Sequence, residues 1–205
     1  MLRSSTFHRG AIIELAFSPD SKTLATASRD KTVKLWSWAS DASAAQIVTL
    51  EGHQNVVYSV TASPNGKMWA TASWDGTIKL WNQQGQQLAT FLGHQDEVNQ
   101  IRFSPDGKTI ASAGADRTIK LWNLQGEQLF TLERHTARVW SVDFSPDGKT
   151  LISGGEDRHI ILWDLESILK LDYLDYACNW LQDYLKTNPH VPQGDRNLCR
   201  TKSDD

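Results

Sequence analysis

FSPDGKTIASAGADRTIKLW, residues 103–122, reads as three short strands divided by two tight turns. Val98, Ile101 and Phe103 mark an inner strand that runs into Ser104-Pro105-Asp106-Gly107. There Pro fixes φ, and Asp-Gly supplies the reversal of a hairpin. Thr109–Ala113 forms the second strand, Asp116 opens the next turn, and Thr118–Trp122 alternates apolar and polar residues as a third strand. Asn123–Glu127, which contains Gly126, turns the chain into an outer strand at Gln128–Leu132. The unit is a sheet of four antiparallel strands with one face too apolar to stand alone.

The same stretch recurs as FSPDSKTLATASRDKTVKLW (17–36), ASPNGKMWATASWDGTIKLW (62–81) and FSPDGKTLISGGEDRHIILW (144–163). The closing residues Trp36, Trp81, Trp122 and Trp163 are 45, 41 and 41 positions apart. A period near forty predicts repeated supersecondary units that bury their faces against one another, with function on a repeated surface. The longer first spacing comes from Ser40-Asp41-Ala42-Ser43-Ala44-Ala45, whose small, polar composition suits a surface loop.

Composition narrows the function classes. Of 205 residues, 40% are hydrophobic and 22% charged, which is ordinary globular usage. A net charge of −3 gives no basic field for phosphate backbones or anionic membranes, so nucleic acid is an unfavoured partner. No apolar run is long enough to span a bilayer, and Met1–Gly10 lacks the apolar core of a secretory signal, which sets the expectation of a cytoplasmic protein that does not enter a membrane. Cys178 and Cys199 lie outside the repeats and are too few for a thiolate metal cage. The histidines show no two-His spacing on a shared element, and no Gly-rich phosphate loop with Lys and Ser or Thr is present, so neither metal nor cofactor is expected.

Several marks together resemble the WD-repeat (WD40) β-propeller family: Gly52-His53 and Gly93-His94, an Asp in the turn before the third strand (Asp30, Asp75, Asp116, Asp157), and the closing Trp. The expectation is therefore an all-β propeller of four WD40-type blades with four strands each, spanning 1–165. Its repeats would run about 8–50, 53–91, 94–132 and 135–165, with a helical tail over 166–205. In that family a His, a Ser or Thr on the second strand, the turn Asp and the Trp are joined by hydrogen bonds within each blade. By position the resemblance implies His8, Ser28, Asp30 and Trp36 in the first blade, and His53, Ser73, Asp75 and Trp81 in the second. Gly114 and Gly155 stand where the Ser is expected in the later blades, leaving His94, Asp116 and Trp122, then His135, Asp157 and Trp163. Phe7 and Arg134 replace the Gly before His8 and His135. Ser73, His53 and Asp75 invite a hydrolytic reading, but a set that recurs blade by blade is better explained as internal support than as a nucleophile in a cleft.

The resemblance also implies that recognition uses the top face, at the residue after the first apolar position of each inner strand and the residue before the turn Asp. In this chain these are Ile13 and Arg29, Tyr58 and Trp74, Asn99 and Ala115, and Trp140 and Glu156. Tyr, Trp and Arg dominate binding hot spots, which favours a protein or peptide partner, although the aromatics could instead fill gaps between blades. Lys22, Lys67, Lys108 and Lys149 recur in equivalent turns beside Asp20, Asp106 and Asp147 and read as solvated turn residues.

After Leu165 the period changes. Leu171, Leu174, Cys178, Leu181 and Leu185 recur at helical steps beside Tyr173, Ala177, Trp180 and Tyr184, and Pro189 ends the run. This helix is expected to dock on the last blade. Ala177–Leu185 and Asp195–Cys199 resemble the tail of large bacterial WD-repeat proteins, which implies a natural carboxyl terminus and the sensor end of a signalling protein. Four blades leave closure open: the end of a larger propeller, a tight four-bladed ring, or a homodimer completing eight blades. The expected function is a non-enzymatic scaffold. An enzyme using a central cavity and a nucleic-acid binder using Arg29, Arg102 and Arg138 are the alternatives.

Overall fold

The computed structural model describes residues 7–38 and 45–169. The first sheet holds β1 (Ile12–Phe17), β2 (Thr23–Ser28), β3 (Val33–Trp38) and β4 (Ala45–Leu50) in chain order. The second holds β5 (Val57–Ala62), β6 (Met68–Ser73), β7 (Ile78–Asn82) and β8 (Gln87–Phe91). The third holds β9 (Val98–Phe103), β10 (Thr109–Gly114), β11 (Thr118–Asn123) and β12 (Gln128–Glu133). The last is β13 (Val139–Phe144), β14 (Thr150–Gly155) and β15 (Ile160–Asp164). It has three strands among the described residues, and after Asp164 the chain enters a helical stretch, 165–169. The chain divides into two compact units, Met1–Leu162 and Trp163–Asp205. The 40–45 loop (but for Ala45) and the helix read over 171–185 lie outside the described residues.

Local chemistry accounts for the sheets. In the third blade Ser104 Oγ donates to Asp106 Oδ1 at 2.6 Å, the Lys108 N–H binds the same oxygen at 3.0 Å, and the Gly107 N–H closes the turn on Ser104 O at 2.8 Å. Gly107 has φ 70°, a conformation that glycine adopts without steric cost. The first blade places Ser21 in the same bend at φ 57°. Beyond the turn, β10 and β11 pair antiparallel with Ser112 opposite Lys120.

Each blade is held to the next by unlike faces. Ala25, Ala27, Val33 and Leu35 of the first sheet pack against Val57, Val60, Trp69 and Trp81 of the second. Ala70, Ala72, Ile78 and Leu80 of the second pack in turn on Val98, Ile101 and Trp122 of the third. The paired alanines make room for the bulk on the facing blade, so the layers interdigitate. Burying one large apolar side chain in such a seam contributes roughly 1.5–3 kcal/mol.

Polar side chains complete the seams at the inner strands, where backbone N–H groups have no strand partner on that side. Glu14 Oε2 accepts the Val60 N–H at 2.7 Å, Ser59 Oγ the Ile101 N–H at 3.3 Å, and Gln100 Oε1 the Val142 N–H at 2.8 Å. Each satisfies a donor that burial would otherwise leave unpaired. Inner strands also meet across alternate blades: Arg102 Nη2 lies 3.3 Å from Glu14 Oε1, joining the third blade to the first.

Candidate functional site

Within each blade, His, Asp, Trp and a hydroxyl are linked, but the hydroxyl is not the one the resemblance indicated. In the second blade His53 Nδ1 lies 2.9 Å from Asp75 Oδ2, His53 Nε2 lies 2.8 Å from Thr71 Oγ1, and Trp81 Nε1 donates to Thr71 Oγ1 at 2.9 Å. The first blade repeats this with His8, Asp30, Trp36 and Thr26 at 2.7–3.0 Å. The third uses Ser112, which accepts from Trp122 Nε1 at 2.8 Å and meets His94 Nε2 at 2.7 Å. In the fourth, His135 bridges Asp157 and Ser153, both at 2.8 Å. Trp163 belongs to the second unit, where it is 8% exposed.

Ser28 and Ser73 are therefore corrected out of the network. They sit two residues further along the same strand face, at its end, and cap the turn: Ser28 Oγ and Ser73 Oγ accept the N–H of Asp30 and of Asp75, each at 3.1 Å. Gly114 and Gly155 occupy that capping place and cost the later blades no network hydroxyl. A Cβ on Gly114 would stand 2.5 Å from both His94 Nδ1 and Asp116 Oδ1, so in this blade the imidazole and carboxylate lie directly against the bare backbone.

The donors have a consistent order. Trp Nε1 can only donate, so the hydroxyl oxygen accepts from it and turns its own proton to His Nε2, and Nδ1–H then donates to the carboxylate. The carboxylates are acceptors throughout. Burial raises the Asp75 carboxyl, but hydrogen bonds from His53 and Thr77 outweigh it and hold it well below the usual range. Asp30 and Asp116 are lowered for the same balance of reasons, and Asp157 is lowered to about 2, burial opposing and the His159 and Thr136 N–H groups prevailing. A hydroxyl beside a His–Asp pair has the parts of a nucleophilic triad. Here Thr71 and Ser112 are fully buried and already hold an indole N–H, so no substrate carbonyl can reach them.

The top-face positions divide. Arg29, Trp74, Ala115 and Glu156 are each fixed by a backbone N–H bond, to Ala11, Val56, Glu97 and Arg138 respectively, at 2.8–3.0 Å. Tyr58 stacks on Trp74 with centroids 5.2 Å apart and planes 14° apart. Its other neighbour is Trp140, 6.3 Å away and two blades on. Trp140 is 40% exposed. Arg138 Cζ lies 5.1 Å from the Trp140 ring, a cation–π contact, and its guanidinium is paired with Glu97. Trp74 Nε1 is buried with no hydrogen-bond acceptor among the described residues.

Ile13 and Arg29 take no part in this cluster, Ala115 and Glu156 flank it, and Asn99 is not a rim residue. At 2% exposure Asn99 is a seam residue whose amide donates to Val139 O at 2.8 Å, a correction to its exposed assignment. Arg138 and Glu97 were missed as rim residues. They are 41 positions apart, one repeat, and that spacing is the signal that brings equivalent residues of neighbouring blades together. A polar depression of about 260 Å³ beside them is lined by Trp74, Asp75, His94, Gln95, Asp96 and Glu97. Two of the three arginines that nucleic-acid binding would use, Arg102 and Arg138, are neutralised by Glu14 and Glu97. The turn lysines are exposed, with each backbone N–H bound to the neighbouring Asp or Asn side chain.

A family model described as "WD domain, G-beta repeat" matches residues 2–37, 44–82, 85–123 and 126–164. Among curated proteins no match was found.

Proposed function

Because the chain belongs to the WD40 family, whose repeats generally mediate protein–protein interaction, we propose that it is a non-catalytic scaffold that captures a protein or peptide on the rim built by Tyr58, Trp74, Trp140 and Arg138. The observation that carries this reading is the aromatic run itself. Three large rings from two blades, two of them stacked, lead to a tryptophan left 40% exposed under a guanidinium. Rigid aromatic and Arg side chains give large contact area at small entropic cost, which is why they anchor peptides. The adjoining polar depression, lined by Asp96 beside the Glu97 that already pairs with Arg138, suits a basic residue next to the anchored apolar one. The resemblance of the 177–199 stretch to tails of large bacterial WD-repeat proteins supports placing this rim at the sensor end of a signalling protein.

The test is to pan the whole chain against a displayed random-peptide library and measure retained peptides on wild type and Trp140→Ala. Deleting a central aromatic anchor costs about 2 kcal/mol or more, roughly thirtyfold in Kd. The melting curve should stay cooperative, since Trp140 is 40% exposed and stands outside the buried core. Peptides that bind Trp140→Ala and Trp74→Ala as tightly as wild type would place recognition elsewhere.

A further inference from the structure

We propose that the open face of the last blade docks on the open face of the first blade of a second copy of this chain, independently of the rim reading. Three seams inside the chain define what such a contact needs. One side is the face carrying Ala70, Ala72, Ile78 and Leu80 in the second blade, all at most 2% exposed. In the last blade the same positions are Ile152, Gly154, Ile160 and Leu162, and the three large ones are 41%, 71% and 68% exposed. With Ser141 and Ser153, Ile152, Gly154 and Ile160 line a cavity of about 200 Å³. The other side is the inner-strand face. Val57, Val98 and Val139 are 0% exposed where Ile12 of the first blade is 52%, and Val60, Ile101 and Val142 are at most 1% where Leu15 is 61%.

The polar groups match as well. In each internal seam the third residue of one inner strand accepts the N–H of the fourth residue of the next, as Glu14 does from Val60 and Gln100 from Val142. Extended off the end, the series makes Ser141 the next acceptor and Leu15 the next donor. Both halves of one interface are thus present on one chain, apolar facing apolar and acceptor facing donor; Ser141 Oγ gives its proton to Gln100 Oε1 at 2.8 Å and keeps its oxygen to accept. Continuity with the three internal seams is the ground for proposing a second copy of this chain as the occupant. The contact is heterologous, so two copies can satisfy both ends of each other and bring together eight repeats.

Sedimentation equilibrium of the full chain tests this. The expected mass is about twice 23.0 kDa, falling toward a single chain on dilution. Leu15→Asp and Ile160→Asp should each weaken pairing by at least about tenfold, since each puts a carboxylate where an apolar side chain is to be buried. Both positions are exposed in the single chain, so at a dilution where wild type is itself a single chain the melts should match; if Leu15→Asp loses its cooperative melt, Leu15→Ser takes its place. A mixture of the two variants should regain part of the pairing, because one junction then has unaltered residues on both sides. A chain that stays at 23.0 kDa at every concentration overturns the proposal, whether or not its own residues beyond 169 cover the last blade. A dimer indifferent to both substitutions overturns it equally.

Discussion

Thr71→Val separates the hydrogen-bond network seen in the blades from the one the family resemblance suggested. Valine keeps the shape of threonine and removes only the hydroxyl. Thr71 is 0% exposed, and its oxygen serves Trp81 Nε1 at 2.9 Å and His53 Nε2 at 2.8 Å. Trp81 is 2% and His53 6% exposed, so water cannot replace the lost partner without opening the blade. Two buried groups left unpaired cost about 1–3 kcal/mol each, and not having to bury the hydroxyl returns part of that, giving a net loss of about 3 kcal/mol. For a domain of this size that lowers Tm by roughly 6–12 °C. Ser73→Ala is the control. Ser73 Oγ accepts from Asp75 N at 3.1 Å and donates to Asn55 O at 3.2 Å, longer bonds at a turn, and their loss should cost about 1 kcal/mol or 2–4 °C. Thermal melts followed by circular dichroism and tryptophan fluorescence read both. If Ser73→Ala melts at or below the temperature of Thr71→Val, the hydroxyl has been assigned to the wrong residue.

Two further outcomes follow from the same blades. Gly114→Ala should lose about 1–3 kcal/mol in a urea titration, because the added Cβ meets His94 and Asp116 at 2.5 Å and the imidazole is buried; a neutral result would mean that the turn yields. The turn carboxylates set the acid limit: their folded pKa values lie below the ordinary 3.8, so their stabilisation is complete above about pH 5 and is lost as pH falls through 4 toward 2 and below. Melts across that range should show the decline, and Asp75→Asn should make it shallower; an unchanged slope would remove Asp75 from the account.

Strands, turns and the blade period were legible because they rest on short-range chemistry: Pro-Asp-Gly reversals, alternation, and a closing Trp at regular spacing. The network hydroxyl was also legible in principle. Thr26, Thr71, Ser112 and Ser153 give a hydroxyl at the same place in all four copies, whereas Ser28 and Ser73 become Gly114 and Gly155. Both sets share a strand face, so alternation alone cannot choose between them, and the pairing that brings Trp81 opposite Trp69 decides it. The rim was partly legible. Tyr58, Trp74 and Trp140 follow from position in the repeat, but the contact between Tyr58 and Trp140 joins alternate blades, which no local pattern encodes. Asn99 was misplaced because position in the repeat says nothing about how closely the next blade approaches.

Amide and indole hydrogen exchange, observed on the tryptophan Nε1–H signals of the whole chain, bears most directly on the division between internal support and free rim. The Nε1–H groups of Trp81 and Trp122, both at most 2% exposed and bonded to Thr71 and Ser112, should exchange only with global unfolding. The Nε1–H of Trp140, 40% exposed, should exchange freely and become protected when a selected peptide binds. Trp81 exchanging as fast as Trp140, or Trp140 unaffected by bound peptide, would contradict the account.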